Sequence, residues 1–327
     1  MTRAWLVLGL LTAGCSTASS ESSGTLADTE SASGASTSGG SEASASTGSP
    51  PSSSGVTSGP GEDTSAEQTT AVGASESSSG EPGPANLTPG CGMPMPTDVL
   101  DGIITVREQE RTYLIEVPRG YDPDTPYPIV FGFHGDGGDS SNARNGYRLS
   151  EFYGGQAIVV YPDGSGAGGS PAWSTASDGA DVELVMAIAQ EVGEQMCFDL
   201  NRVHAFGYSR GAAMSHAMGC YRGDFFTGIG ASSGFAPSTG LCQAPIAVFM
   251  SHGTADNSIP FNSGVTARDG WASYNGCSEE TTPLRQRGCV RYEGCDDGAV
   301  VQWCTFDGGH TFDSDYAEAA VRMFQSL

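Results

Sequence analysis

The sequence predicts an α/β fold in which a mainly parallel central sheet is flanked by helices on both faces. Short apolar runs alternate with segments of helical period from Gly102 to the end of the chain. The run 129–134 is almost continuously apolar, which is typical of a strand that is covered on both faces. Strands that alternate with helices favour parallel pairing, because each crossover helix packs back on the sheet. Ligands of such sheets bind at the carboxyl ends of the strands, so catalytic residues are expected there.

The elements follow from the pattern in chain order. Two polar and apolar alternations near the start predict a hairpin, and later apolar runs predict buried strands. Asp181 precedes a run of helical period and is expected to be its N-cap. The predicted strands are 103–107, 111–117, 129–134, 157–161, a strand that ends near Phe206, 226–231, 245–251 and 300–306, and the predicted helices are 181–196, a helix from Ala212 onward, and 316–324.

The first 15 residues have the composition of a secretory signal. Arg3 is followed by an apolar run from Ala4 to Leu11, which is too short to span a bilayer. Residues 11–15 resemble a bacterial lipobox, although Thr12 stands where Leu, Val or Ile is usual. This resemblance predicts lipidation at Cys15 and a membrane anchor, and cleavage with full secretion is the alternative.

Residues 16–88 consist mostly of Ser, Gly, Thr, Ala and Glu. A segment with so few large apolar residues cannot offset its ordering entropy, so a disordered linker is expected. A Gly/Ser-type coil of about 70 residues spans about 45–50 Å. We therefore expect three parts: a signal at 1–15, a linker at 16–88 and a monomeric folded domain at 90–327. The net charge of −24, without any basic run, argues against nucleic acid as a partner.

Eight cysteines lie beyond Cys15, and an even number behind a secretion signal predicts up to four disulfides. Zinc is the rival interpretation, but no CxxC spacing or nearby histidine supports it. Spacing alone leaves 105 connectivities open. We expect Cys220 to pair with Cys242 and the C-terminal four to pair among themselves. The eight cysteines are Cys91, Cys197, Cys220, Cys242, Cys277, Cys289, Cys295 and Cys304.

The chain changes structural period at Ser209. Residues 207–211 read GYSRG, and this GxSxG follows an apolar strand and precedes a helix, as in the nucleophile elbow of α/β hydrolases. Glycines two residues away on either side leave room for so tight a turn. Residues 230–234 match the same letters, but the sequence after Ser232 opens no helix. The context therefore selects Ser209 as the nucleophile of an α/β hydrolase.

A hydrolytic serine needs a base and an acid, which follow it in the order Asp or Glu, then His. His310 follows the last predicted strand in a glycine-rich loop and is the expected base. Asp256 follows the strand 245–251 and is the expected acid. His216 lies on the helix after the elbow and is expected to point away, and His252 is expected to be structural. The rival acids are Asp296, Asp297, Asp307 and Asp313.

The oxyanion hole is expected to combine the backbone N–H of Arg210 with one from the glycine-rich turn after the strand 129–134. We favour Asp136 as the second donor, with Gly135 close behind. The simpler interpretation of this turn is a glycine-rich loop without a role. It lacks the spacings of a nucleotide-binding loop. No metal and no cofactor are expected.

These residues resemble secreted feruloyl esterases of carbohydrate esterase family 1 and the related extracellular polyhydroxybutyrate depolymerases. The resemblance implies that Ser209, Asp256 and His310 form the triad and that the substrate is a carboxylic ester. It is carried by PGCG at 89–92, PYPIVFGFHGDGG at 126–138, GYSRGAAMS at 207–215, HGTADNSIPF at 252–261 and WCTFDGGHT at 303–311.

The expected function is a secreted or surface-tethered serine esterase, with feruloyl esters of plant cell-wall polysaccharide as substrates. The alternatives are a polyhydroxyalkanoate depolymerase, an acetylxylan esterase, or a non-enzymatic surface-binding lipoprotein. Trp173 and Tyr208 are candidate substrate-binding residues. An aromatic ring at Trp173 could stack on a feruloyl ring or a sugar, and a packed core tryptophan is the alternative.

Overall fold

The computed structural model describes residues 86–95, 101–166 and 172–327. The predicted signal, the lipidation site at Cys15 and most of the predicted linker lie outside the described residues. Residues 86–88 were assigned to the linker, and this boundary is wrong. Thr88 is buried, donates its hydroxyl to Met196 O at 2.7 Å, and accepts from Phe198 N at 3.0 Å. The folded part therefore begins by Asn86, whose carbonyl accepts from Leu200 N at 2.7 Å.

The described residues form ten strands and six α-helices. The strands are β1 (Asp101–Val106), β2 (Gln109–Glu116), β3 (Tyr127–Phe133), β4 (Ile158–Pro162), β5 (Phe198–Tyr208), β6 (Gly228–Ser232), β7 (Ala247–Gly253), β8 (Thr281–Pro283), β9 (Cys289–Tyr292) and β10 (Val301–Phe306). The helices are α1 (Ser140–Tyr147), α2 (Leu149–Phe152), α3 (Ala180–Gln195), α4 (Arg210–Tyr221), α5 (Phe261–Tyr274) and α6 (Ser314–Phe324). No helix within these residues is long and apolar enough to cross a membrane.

The strands make one sheet in the order β1-β2-β4-β3-β5-β6-β7-β10-β9-β8. The six central strands, from β4 to β10 in this order, pair in parallel, and the strands at both edges pair antiparallel. The prediction of a mainly parallel central sheet is therefore confirmed.

Helices cover both faces of the sheet. Residues of α3, α4 and α5 share one hydrophobic cluster with Ile129 and Phe131, whereas residues of α1, α2 and α6 share another with Val130. Every residue of β3 is buried, because successive side chains of a strand point to opposite faces and here both faces are covered. This is why the run 129–133 contains no polar side chain.

Four disulfides join the eight cysteines of the described residues. They are Cys91–Cys197, Cys220–Cys242, Cys277–Cys295 and Cys289–Cys304. The expected Cys220–Cys242 bond is present, and the C-terminal four pair among themselves. Disulfides persist in oxidising compartments, so this set fits an extracellular protein.

Because two histidines are buried, we expect the fold to lose stability in acid. Burial, with a smaller contribution from the neighbouring Arg202 and His252, respectively, lowers the pKa of His204 and of His216 from 6.5 to about 3. The unfolded chain therefore binds protons between pH 6.5 and pH 3 that the folded chain does not. The free energy of unfolding is therefore highest above pH 6.5. Below pH 6.5 it is expected to fall by about 1.4 kcal/mol per pH unit for each histidine.

Urea denaturation at pH 7 and pH 5 measures this effect. Each histidine is expected to remove about 2 kcal/mol of unfolding free energy between the two values. In a His204→Phe variant the ring can still stack on Phe324, as the imidazole does at 4.4 Å. The variant should therefore lose less stability than the unmodified protein over the same pH interval. An equal loss in both proteins would contradict the assignment of His204.

Candidate active site

Three predicted site residues meet at the carboxyl edge of the sheet. Ser209 follows β5, Asp256 follows β7, and His310 follows β10. His310 Nε2 lies 2.8 Å from Ser209 Oγ, and His310 Nδ1 lies 2.7 Å from Asp256 Oδ2. Because these strands are parallel, their carboxyl ends lie at one edge, and residues 101 positions apart come within hydrogen-bond distance.

The backbone of Ser209 is strained, as a nucleophile elbow requires. Its φ of 58° and ψ of −121° lie outside the regions that side chains usually allow. The flanking glycines make the turn possible. A Cβ on Gly207 would lie 2.2 Å from Gly211 O, and a Cβ on Gly211 would lie 1.9 Å from Phe133 O. Both contacts are with backbone atoms that cannot move aside, so neither position accepts a larger residue.

Asp256 is held as an ionised carboxylate. Its side chain is fully buried, and its Oδ1 accepts hydrogen bonds from Ser258 N at 2.9 Å and Ile259 N at 3.0 Å. Burial acts to raise the pKa of Asp256, but the hydrogen bonds from His310 and these two N–H groups outweigh it. The pKa of this carboxyl therefore lies below its usual value.

The hydrogen bonds of Asp256 determine which nitrogen of His310 carries the proton. An ionised carboxylate can only accept, so His310 Nδ1 must donate to Asp256. His310 Nε2 is then unprotonated and accepts from the hydroxyl of Ser209. This tautomer allows the imidazole to remove the proton of the serine.

The glycine-rich turn after β3 lies against the serine. A Cβ on Gly135 would be 3.6 Å from Ser209 Cβ, so this backbone approaches the nucleophile closely. His134 fixes the turn, because its Nδ1 lies 2.8 Å from Gly135 O and its Nε2 accepts from Gly164 N at 3.0 Å. Asp136 comes next in the chain and is exposed. Gly135 and Asp136, the expected second donors, thus belong to a turn that lies next to Ser209. Arg210, the expected first donor, directly follows Ser209 and begins α4.

The prediction that Trp173 stacks on a substrate is wrong. Its side chain is 1% exposed, and its Nε1 donates to His134 O at 2.7 Å. The ring packs edge-on against Phe133 with centroids 5.2 Å apart. Trp173 is therefore the packed core tryptophan of the alternative interpretation, and it supports the turn that carries Gly135.

Tyr208 lies beside the candidate base. Its ring stacks on the imidazole of His310 with centroids 5.0 Å apart and is partly exposed. Burial, with a smaller contribution from the nearby charge of Asp256, raises the pKa of Tyr208 to about 12. The phenol is therefore neutral at pH 7, and its ring packs against the imidazole of His310.

The other histidines and the serine of the second GxSxG have supporting roles, and two of them contact the triad: His252 lies against Asp256, and Ser232 O accepts from Ser209 N at 2.9 Å. His216 is buried within α4 and accepts from Trp271 Nε1 at 3.0 Å. His252 lies on β7, with its Nε2 2.9 Å from Ile259 O and 3.3 Å from Asp256 Oδ2, so it supports the acid loop. Ser232 ends β6, where it is buried and accepts from Ser251 Oγ at 3.0 Å.

Sequence reasoning missed His134 and Asp181 as contributors to the site. His134 is predicted to end the strand 129–134 and to begin the turn that carries the second oxyanion donor, and Asp181 is predicted to cap a helix; neither is predicted to hold that turn in place. The N-cap of α3 is Gly179, and the Asp181 carboxylate accepts from Arg111 Nη2 at 2.7 Å and from Ser174 N at 2.7 Å. The expectation for Asp181 is therefore wrong, because its partners come from distant parts of the chain. The position of His134 at the end of a buried strand was the only signal in the sequence.

The chain is similar to several fungal esterases, although no protein-family model matches it. It is 33% identical to the probable feruloyl esterase C of Aspergillus flavus over 235 residues, which are 68% of this chain and 82% of that protein. It is 34% identical to feruloyl esterase C of Emericella nidulans over 239 residues, covering 68% and 83%. Feruloyl esterase D of Neurospora crassa is 28% identical over 224 residues, covering 63% and 75%.

Solved structures show the same fold at lower identity. The acetyl xylan esterase from Aspergillus awamori superposes with a TM-score of 0.54 at 16% identity, over 68% of this chain and 98% of that chain. A ferulic acid esterase superposes with a TM-score of 0.50 at 13% identity, over 70% and 95%. The fold is thus that of an α/β hydrolase. The Aspergillus flavus and Emericella nidulans relatives share about a third of their residues with this chain over about four fifths of their length. The chain therefore belongs to the feruloyl esterase family of ester hydrolases.

Proposed function

We propose that the chain hydrolyses carboxylic esters through an acyl-enzyme on Ser209. The observation that carries this proposal is the unbroken chain of hydrogen bonds from Ser209 Oγ through His310 to Asp256. A serine, a base and an acid in this geometry provide what nucleophilic ester cleavage requires.

The steps follow from the proton positions. His310 Nε2 takes the proton of Ser209 as Oγ attacks the ester carbonyl, and the tetrahedral oxyanion is stabilised by the backbone N–H groups of Arg210 and of Asp136 or Gly135. The protonated imidazole then gives its proton to the leaving alkoxide. Water enters, is deprotonated by the same nitrogen and attacks the acyl-enzyme, which releases the acid and restores Ser209.

The proposed substrate is a feruloyl or related hydroxycinnamoyl ester of plant cell-wall polysaccharide. It is supported by the names of the relatives, which are feruloyl esterases C and D. The partly exposed ring of Tyr208 beside His310 offers an aromatic surface next to the reacting atoms. The similarity to an acetyl xylan esterase keeps acetylated xylan as the second candidate, and a polyhydroxyalkanoate is the third.

A substrate panel on the purified full chain tests this proposal. Methyl ferulate, an acetylated xylan oligosaccharide and a hydroxybutyrate oligomer would be compared by kcat/KM. We expect methyl ferulate to be favoured over the other two esters. A higher kcat/KM for either alternative would replace the proposed substrate, and no hydrolysis of any ester by folded protein would refute the proposed function.

We further propose that the catalytic domain is carried outside the cell on the linker, anchored by a lipid on Cys15 or released after cleavage. The lipobox-like residues 11–15 and the four disulfides support an extracellular location. Metabolic labelling with a fatty acid distinguishes the two forms. Label that persists in a Cys15→Ser variant, or that is absent from the unmodified protein, would exclude the anchor.

A further inference from the structure

One buried carboxylate holds both ends of the segment between β4 and α3, where the segment means the two described stretches 163–166 and 172–174. Asp181 lies in the first turn of α3, and its side chain has no exposed surface. Its Oδ1 accepts from Ser165 N at 3.1 Å, and its Oδ2 accepts from Ser165 Oγ at 2.8 Å and from Ser174 N at 2.7 Å. Because Ser165 and Ser174 bind the same group, the position of Asp181 sets the position of both ends.

Arg111 on β2 provides the opposite charge. Its Nη2 donates to Asp181 Oδ1 at 2.7 Å and to Asp163 O at 2.6 Å, and its side chain is 7% exposed. A buried ion pair is stable only when its remaining hydrogen-bonding groups also find partners. The bonds to Asp163, Ser165 and Ser174 meet this requirement, so the pair and the segment hold each other in place.

The same segment contacts the predicted oxyanion hole at three points. Gly164 N donates to His134 Nε2 at 3.0 Å, and Trp173 Nε1 donates to His134 O at 2.7 Å. On the other side of the hole, Arg210 Nη2 donates to Trp173 O at 2.9 Å. His134 immediately precedes Gly135, and Arg210 carries the other expected donor. The segment therefore joins the two parts of the chain that supply the oxyanion N–H groups.

We propose that Asp181 is a positioning residue for the oxyanion hole, acting through residues 163–166 and 172–174. This inference rests on the proposed function. Donors to a developing oxyanion must lie within about 0.5 Å of the productive geometry, and the loss of one donor costs about 10²- to 10³-fold in kcat. A donor that shifts but is not lost should cost less, so we expect a smaller decrease when Asp181 is altered.

The test compares kcat and KM for 4-nitrophenyl acetate in the full chain and its Asp181→Asn variant. The amide has the shape of the carboxylate, but an NH₂ donor replaces one acceptor oxygen. This donor would face the groups that donate hydrogen bonds to that oxygen in the unmodified protein. We expect kcat to fall by about 10- to 100-fold with KM within about threefold of its original value. Phenylboronic acid, which forms a tetrahedral adduct with a reactive serine, should bind more weakly by a similar factor. The pH at which kcat is half-maximal should not move, because the triad is untouched.

A matched control lies two residues away in the same first turn of α3. Glu183 pairs with Arg107, an arginine of the same hairpin, at 2.7 Å, but both side chains are half exposed. Glu183→Gln should therefore change neither kcat nor boronate affinity. A milder variant, Ser165→Ala, removes only the bond from Ser165 Oγ to Asp181. It should lower kcat by about threefold to tenfold in the same direction.

The outcomes separate this inference from the proposed function. Hydrolysis by the unmodified protein together with unchanged kcat in folded Asp181→Asn would overturn the inference alone, as would a change confined to KM. If Asp181→Asn does not fold, Ser165→Ala decides: a lower kcat and weaker boronate binding at constant KM support the inference, and an unchanged kcat overturns it. Failure of the folded, unmodified protein to hydrolyse any ester would refute the proposed function, and the inference with it.

Discussion

Ser209→Ala is expected to lower kcat/KM for an ester substrate by at least about 10⁴-fold while the fold is retained. The change removes only Oγ, the atom that lies 2.8 Å from His310 Nε2. Alanine bears a Cβ like serine, so the strained backbone at φ 58° is neither relaxed nor strained further. Ester hydrolysis measures the loss, and circular dichroism with thermal melting measures the fold.

The chain offers a matched control for this prediction, because residues 230–234 carry the same GxSxG letters. Ser232 is fully buried and accepts from Ser251 Oγ at 3.0 Å. Ser232→Ala should therefore cost about 1 kcal/mol of stability through one lost hydrogen bond. Its activity should remain within about threefold of the original, since its hydroxyl faces Ser251 and not a substrate. Activity that survives in Ser209→Ala, or an equal loss in both variants, would refute Ser209 as the nucleophile.

The position of Ser209 could be predicted because its determinants are local. A strand, a tight turn and a helix lie within residues 203–219, and each leaves its own period in the sequence. The sheet was predictable for the same reason, since a strand buried on both faces must be apolar throughout. The chain order of the triad in α/β hydrolases then selected Asp256 and His310, which both follow predicted strands whose carboxyl ends share one edge.

Trp173 and Asp181 could not be placed in the same way, because distant residues define their environments. The partner of Trp173 Nε1 is the carbonyl of His134, 39 positions away, and Arg111 lies 70 positions from Asp181. A capping rule considers only the residues next to the helix and therefore assigned Asp181 to the N-cap. An aromatic residue in a polar loop suggests a binding role for Trp173, although its ring is 1% exposed and packs against Phe133.

The helix α5 was missed for a related reason. Its sequence contains Gly264 and Gly270, which lower helix propensity. Gly264 is required by packing, since a Cβ there would lie 2.3 Å from His252 Nδ1. The glycine that weakens the helix in isolation thus lets it approach β7, and His252 in turn supports the loop of Asp256. Tertiary contacts outweigh local propensity at this point, and no local pattern reports them.

Asp256→Asn is expected to lower kcat by about 10⁴-fold at neutral pH. The two backbone N–H groups of Ser258 and Ile259 bind Oδ1, so the amide oxygen of asparagine takes that place. The NH₂ group then stands where Oδ2 accepted from His310 Nδ1 at 2.7 Å. Since NH₂ can only donate, it binds the imidazole in the tautomer that carries its proton on Nε2. That nitrogen can no longer remove the proton of Ser209.

The acid loop should hold its shape in this variant, which makes the loss specific to chemistry. The backbone bonds to Oδ1 persist, and His252 Nε2 can still donate to Ile259 O at 2.9 Å. KM should therefore stay within about threefold while kcat falls.

In the unmodified protein, the lowered pKa of Asp256 keeps its carboxylate ionised at pH values at which an ordinary aspartate is already protonated. The stability that this ionisation contributes is present above pH 3.8 and is lost as the pH falls through the lower, folded-state pKa.

Asp307→Asn is the matched control, because Asp307 lies three residues before His310 and was a rival acid in the sequence. Its side chain is exposed, whereas the side chain of Asp256 is fully buried against the imidazole. A carboxylate in water contributes little to the tautomer of a histidine that it does not contact, so kcat of Asp307→Asn should remain within about twofold. A kcat of folded Asp256→Asn within tenfold of the original would exclude Asp256 as the acid. A large loss in Asp307→Asn at the same time would move that role to the loop of His310 itself.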